Sequence, residues 1–201
     1  MDLALSKERE YEEWAMRIQE HDEKYDMMFT NFFRYSCIVL IFLVLEDHLH
    51  RLCYALQDVK QYHIGVEQYL EARENARKST VVKYKDYINC TGVSVRPSLW
   101  EVIKDLNTIR NCIVHSSGDI SRSRYKKDIM KIAEKGVGIR ISGKSDSNEL
   151  TPLYLANNML MIEAKYCKAV ISEIAALFEE LCKAAKLHTT IQFGNDAIVF
   201  E

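Results

Sequence analysis

LWEVIKDLNTIRNCIVHSSG, residues 99–118, is the stretch on which the fold reading turns. Leu99, Val102, Ile103, Leu106, Ile109 and Ile113 recur at helical spacing and form the apolar stripe of an amphipathic helix. Pro97 and Ser98 open it, and Ser98 with Glu101 makes a capping-box pattern, so the helix is expected to begin near Leu99. Asn107, Arg110, Asn111 and His115 lie off the stripe. Asn111 and His115 are four apart and share a face, whereas Arg110 and His115 are turned apart by roughly 140°. A long arginine side chain reaches around that angle. A histidine in the last turn also has a plain structural use, since a cation there favours the negative end of the helix dipole.

Outward from this helix the chain reads as helical throughout. With 201 residues it suits one domain with a substantial core, and 2 prolines and 7 glycines leave little to interrupt helices. The expected class is therefore all-α, a mainly helical bundle with one or two small β-hairpins. A hydrophobic content of 48% excludes extensive disorder. The net charge of -2 gives no global attraction to nucleic acid, so any RNA contact must be local. Six cysteines (Cys37, Cys53, Cys90, Cys112, Cys167, Cys182) are far apart and form no CxxC pair, which gives no metal site and fits reduced thiols. The start, MDLALSKERE, lacks an apolar signal core, and with the thiols it points to a cytoplasmic protein.

Ser6 is placed to cap a helix that runs without proline or glycine to about Gln61. Tyr11, Trp14, Ile18, His21, Tyr25, Met28 and Phe32 alternate at steps of three and four, a seam expected to pack on another helix or a partner chain, with His21 as a packed histidine. Nine apolar residues, Cys37–Leu45, follow. A bilayer span needs about twenty, so no membrane span is expected, and the segment reads as a central helix, buried on all sides or shared with a subunit interface. It leads straight into Glu46, Asp47, His48 and His50, polar groups that are costly to bury without partners. His48 and His50 are two apart and face differently, which argues against a shared metal.

Beyond Gly65 a polar helix is expected over 66–88, with Arg73, Arg77, Lys78, Lys83 and Lys85 as RNA-contacting candidates or simply a solvated face. After Gly118, a helix over 119–136 carries Arg122, Arg124, Lys126, Lys127 and Lys131, the densest basic cluster. Residues 136–143 and 149–154 alternate around a polar turn and suggest a hairpin, and Gly136 and Gly138 form no dinucleotide fingerprint. Leu160, Ala164, Cys167, Ile171, Ile174, Phe178 and Leu181 mark a last core helix, and the tail 189–201 suggests a second hairpin.

Arg110-Asn111-Cys112-Ile113-Val114-His115 resembles the motif of the HEPN superfamily of helical, mostly RNA-cleaving domains, in which arginine, a polar residue and three others precede a histidine. The order of helices is similar to that family over Phe29 to Leu187. Residues 1–28 form an N-terminal helical extension of the single domain, and 189–201 a C-terminal tail. The resemblance implies a metal-independent endoribonuclease without cofactor, acting through the ribose 2′-hydroxyl, in a toxin–antitoxin or antiviral defence setting. Its implied site residues are Arg110, His115, Asn111 and an acidic residue from an early core helix, for which Glu46 is the best match and Asp47 the next. It also implies a homodimer whose motif helices face one another across a composite site, with an antitoxin or regulatory protein as a further partner. Some members carry a tyrosine two positions after the histidine; Ser117 stands there, so control by tyrosine modification is not expected. The rival expectation is a catalytically silent dimer of the same shape that binds RNA, a nucleotide or a partner protein.

Overall fold

The computed structural model describes residues 2–142, 158–187, 190–193 and 196–199, without the side chains at 2–10, 20–21, 23–24 and in the last two strands. It is mainly helical, as expected. One helix, α1 (Asp2–Lys60), runs for 59 residues, about 90 Å at 1.5 Å per residue. Ser6 therefore lies inside it and caps nothing. Around its second half pack α2 (Val66–Glu71), α3 (Thr80–Cys90), α4 (Pro97–Ser116) and α6 (Ala164–Ala185), while α5 (Lys126–Glu134) packs on α4. Strands β1 (Ile139–Ile141) and β2 (Leu160–Ile162) pair antiparallel, as do β3 (Thr190–Phe193) and β4 (Asp196–Val199).

The core is one apolar cluster. Ile38, Phe42, Leu45, Leu49 and Leu56 of α1 meet Leu99, Ile103, Leu106 and Ile109 of α4, Leu177 and Leu181 of α6 and Tyr87 of α3, all with almost no exposure. The motif helix is thus fixed by the stripe that marks it in sequence. Segment 37–45 is not buried on all sides, however: Leu40, Leu43 and Val44 are exposed. Along the N-terminal half of α1, every described side chain before Asn31 is exposed except the half-buried Met28, so the seam packs on no other helix among the described residues. The side chain of His21 lies outside the described residues.

Several boundaries differ from expectation for local reasons. The motif helix begins at Pro97, with Arg96 as N-cap and no side-chain cap, so Ser98 sits within the first turn. Proline at the first helical position lacks only a donor that would be unpaired anyway. The expected helix over 66–88 is broken: Ala72 and Ser79 are extended, and buried Asn75 donates to Tyr69 O at 2.7 Å, holding a 3-10 turn between α2 and α3. The helix expected after Gly118 is interrupted likewise, because Asp119 accepts from the Ser121 amide at 2.8 Å and Ser123 Oγ from the Tyr125 amide at 3.2 Å. Helix α5 starts only at Lys126.

The larger correction concerns the hairpin. Strand β1 pairs with Leu160–Ile162, Ile139 opposite Ile162, while the proposed partner 149–154 and its turn lie outside the described residues. Leu160 is therefore a strand residue, and α6 begins at Ala164. The far edge of β2 is completed by side chains of α1. Buried Asn31 donates to Leu160 O at 3.0 Å and accepts from the Ile162 amide at 2.9 Å, Arg34 donates to Ile162 O at 2.8 Å, and the Tyr35 hydroxyl donates to Leu160 O. All six cysteines are free thiols, and Cys53 and Cys112 are buried. The Tyr25–Lys60 part of α1 is long and apolar enough to cross a membrane by length and composition, although its core stripe is packed against the other helices.

Candidate functional site

Helix α4 ends in a left-handed cap: Ser117 has φ 52°, Gly118 φ 80°, and the Gly118 amide donates back to Cys112 O at 3.2 Å. This cap sets His115 in the last exposed turn. Gly118 is packed against Tyr35, which ties the end of the motif helix to α1 and, through Leu160, to β2.

Arg110 is half-buried and turned toward α1. Its guanidinium lies over the Phe42 ring at 5.2 Å, one terminal nitrogen donates to Asn111 Oδ1 at 2.9 Å, and Asn111 Nδ2 donates to Asn107 Oδ1 at 3.3 Å. The Nε of Arg110 is buried and has no hydrogen-bond partner among the described residues. A buried donor left unpaired costs about 1–3 kcal/mol, which is why such groups usually face a ligand, an ion or water.

Glu46 stands beside this arginine. Loss of water around its half-buried carboxyl pushes its pKa up, and the Arg110 charge and a hydrogen bond with Thr80 pull it back down. The pair interacts through charge without an ion-pair contact. The structure thus brings together Arg110, Asn111 and Glu46. His115, on the Asn111 side of α4, is exposed and has no hydrogen-bond partner among the described residues. Asp47 faces solvent and pairs with Arg51 at 2.8 Å.

Next to Glu46 lies a group of residues that the sequence marked only in part, through His50. One turn further along α1, His50 contacts the Tyr84 hydroxyl through Nδ1 at 3.2 Å, and its Nε2 lies 3.8 Å from Glu67, which also accepts from Tyr54 at 2.7 Å. Burial first, then Cys53 and the carboxylates of Glu46 and Glu67, push the Tyr84 hydroxyl up to about 12. The spacing of Glu46 and His50, four apart, was the available signal. His48 points elsewhere, bonding Val44 O at 2.8 Å and meeting the Phe178 ring at 5.8 Å.

Of the basic residues on α3 and its approach, Lys78 pairs with Asp86 at 2.6 Å and Lys83 donates to Leu70 O at 2.9 Å. Arg122, Arg124, Lys126, Lys127 and Lys131 are exposed. Among the described residues no group of three His, Cys, Asp or Glu side chains is arranged to hold a metal. On the α1 flank of the motif helix, Tyr35, Ser36, Val39, Leu40, Leu43 and Ile113 line an apolar groove of about 310 Å³. Compared with protein-family models, curated proteins and solved structures, the chain matches none.

Proposed function

We propose that this protein is an endoribonuclease that cuts RNA without a metal, with the site beside a homodimer interface. The observation that carries the reading is Arg110: a permanently charged, planar donor set over an apolar ring, oriented by Asn111, with one buried N–H unpaired among the described residues and His115 five positions further along the same helix. Guanidinium groups suit phosphate oxygens, and a histidine exchanges protons near neutral pH. The resemblance of Arg110-Asn111 through His115 to the HEPN motif supports the same chemistry.

In that reaction the 2′-oxygen bonds to phosphorus as its proton leaves to a base. The P–O5′ bond breaks as the 5′-oxygen takes a proton, which leaves a 2′,3′-cyclic phosphate and a 5′-hydroxyl. His115 serves proton transfer, Arg110 holds the phosphate and its growing charge, Asn111 orients Arg110, and Glu46 restrains the guanidinium from α1. A toxin or defence enzyme of this kind fits a partner protein that restrains it.

The test is incubation of the purified protein with cellular RNA. Products ending in a cyclic phosphate are expected, with no effect of chelator and with resistance of DNA and 2′-O-methylated RNA. Arg110→Ala and His115→Ala should each lower the rate by about 10²- to 10⁴-fold while remaining folded, since neither lies on the core stripe. Cleavage that persists in His115→Ala overturns the proposal. A second reading, RNA or partner binding without cleavage, draws on the exposure of His115 and the lack of any described side chain that orients its ring. It takes precedence if the wild type binds RNA and leaves it intact.

A further inference from the structure

Helix α1 carries a second apolar stripe on the side turned away from its core. In the N-terminal half it consists of Tyr11, Trp14, Ile18 and Tyr25. It continues over the folded body as Phe29, Phe33, Leu40 and Leu43. At 100° per residue these eight positions fall in a band about 100° wide that also holds Ala15, Phe32, Ser36 and one charged residue, Asp22, nearly opposite Ile38, Phe42, Leu45 and Leu49 of the core stripe. Their spacing averages the helical period, so the stripe runs straight along the helix. Its members are open to solvent, Trp14 at 54%, Leu40 at 62% and Phe33 at 70%.

The spacing is also palindromic for six of the eight, since 11 and 43, 14 and 40, and 25 and 29 are each equidistant from residue 27, while Ile18 is matched by Ser36 and Phe33 by position 21. That is the pattern a two-fold antiparallel helix pair requires, because every position then meets its counterpart on the other copy. We propose that the occupant of this stripe is the α1 of a second copy, antiparallel and centred on Met27, so that each N-terminal arm lies along its partner's body.

The area is sufficient. Eight large side chains, each about half exposed and each offering 150–250 Å² when aromatic, bury on the order of 800 Å² per protomer, the size of a standard stable interface. The fit is specific at one place: Trp14 of the arm falls opposite Leu40, and Ile18 opposite Ser36, both of which line the groove of about 310 Å³ beside Ile113. The described elements that pack on the core stripe lie along the second half of each α1, so the two bodies stand at opposite ends of the pair. A membrane surface is a poorer occupant, because nine carboxylates against four Lys and Arg within the first 30 residues repel anionic lipid. The pairing does not rest on the ribonuclease reading, and it sets the partner's arm, not its motif helix, over the groove beside Ile113 of the motif helix.

Cross-linking of the full chain tests it. Residues 14 and 40 are about 39 Å apart on one rigid helix, so no short reagent joins them within a chain. The double variant Trp14→Cys/Leu40→Cys is expected to give a covalent dimer with a short bis-maleimide well beyond the level of wild type and of either single variant. Light scattering is expected to show a dimer at micromolar concentration, and Ile18→Asp to convert it to a monomer with unchanged helical circular dichroism, since residue 18 lies outside the core. Any of four results overturns the proposal: a monomeric wild type, with or without flotation on phosphatidylcholine vesicles; a dimer untouched by Ile18→Asp; linkage by Trp14→Cys alone equal to the double variant, which means parallel helices; or linkage through Val114→Cys alone, which means motif helix against motif helix.

Discussion

Gly118 follows the left-handed end of α4 at φ 80°, and a methyl group there would overlap the Tyr35 hydroxyl. Both the backbone and the neighbour thus oppose any side chain, while the Gly118 carbonyl accepts from the Leu160 amide at 2.8 Å. Gly118→Ala is expected to destabilise the fold by roughly 2 to 4 kcal/mol in urea denaturation. In Gly118→Ala/Tyr35→Ala the loss should be smaller than the sum of the single losses, because the overlap involves the ring carbons Cε2 and Cζ of Tyr35 as well as its hydroxyl, and removing the whole ring relieves it. Simple addition would mean that backbone strain alone matters. At this scale Arg110 and Asn111 were marked by the motif, and Glu46 and His50 by their place at the polar end of the apolar helix, before the structure placed Glu46 beside Arg110. The meeting of His50 with Tyr84, and of Glu46 with Thr80, was not legible, since it depends on α3 crossing α1, which no local pattern encodes.

Among the elements, β2 depends most on long-range contacts. Three residues long, it is paired with β1 on one edge and with Asn31, Arg34 and Tyr35 on the other. Asn31→Ala should leave the Ile162 amide without an acceptor, while Leu160 O keeps the Tyr35 hydroxyl. A loss of about 1–3 kcal/mol is expected, with faster hydrogen exchange at the Ile162 amide. Unchanged protection at Ile162 would show that β2 is held without α1. This dependence also explains the misread boundary of the last helix. Leu160 continues the four-and-three spacing of α6 by chance, and a three-residue strand is too short to show a period of its own. The breaks at Ala72 and Ser123 were hidden for a related reason: side-chain hydrogen bonds from Asn75 and Ser123 end the helices, with neither proline nor glycine to announce them.

For the molecule as a whole, Glu46 links stability to pH. Its carboxyl is raised, so the folded state keeps this proton to higher pH than the unfolded chain does. The associated stability is complete below the unfolded carboxyl range, near 4.3, and is lost as pH rises through the folded value. Glu46→Gln lacks that loss, so the stability of the variant relative to wild type should rise from pH 4 to pH 7 when urea midpoints are compared. A relative fall would mean that Arg110 outweighs burial and holds the carboxyl below its ordinary value. The helical class was readable from the whole chain because heptad-like runs dominate it. The solvent-facing stripe of α1 was only half readable, because its arm was visible as a seam but its continuation is mixed with the core residues of 37–45.

The hydrogen bond between Asn31 and Leu160 spans 129 residues, and the remaining cover of α1 comes from α6, later still. A ribosome adding about 5–20 residues per second needs roughly 6 to 26 s to travel that distance. For most of this interval, once Lys60 has been made, the most apolar helix of the protein is complete, and α3 and α4 cover only part of it until β2 and α6 follow. During synthesis the nascent α1 is therefore a natural client for a chaperone, and a second nascent chain on the same messenger would present it with the same uncovered surface.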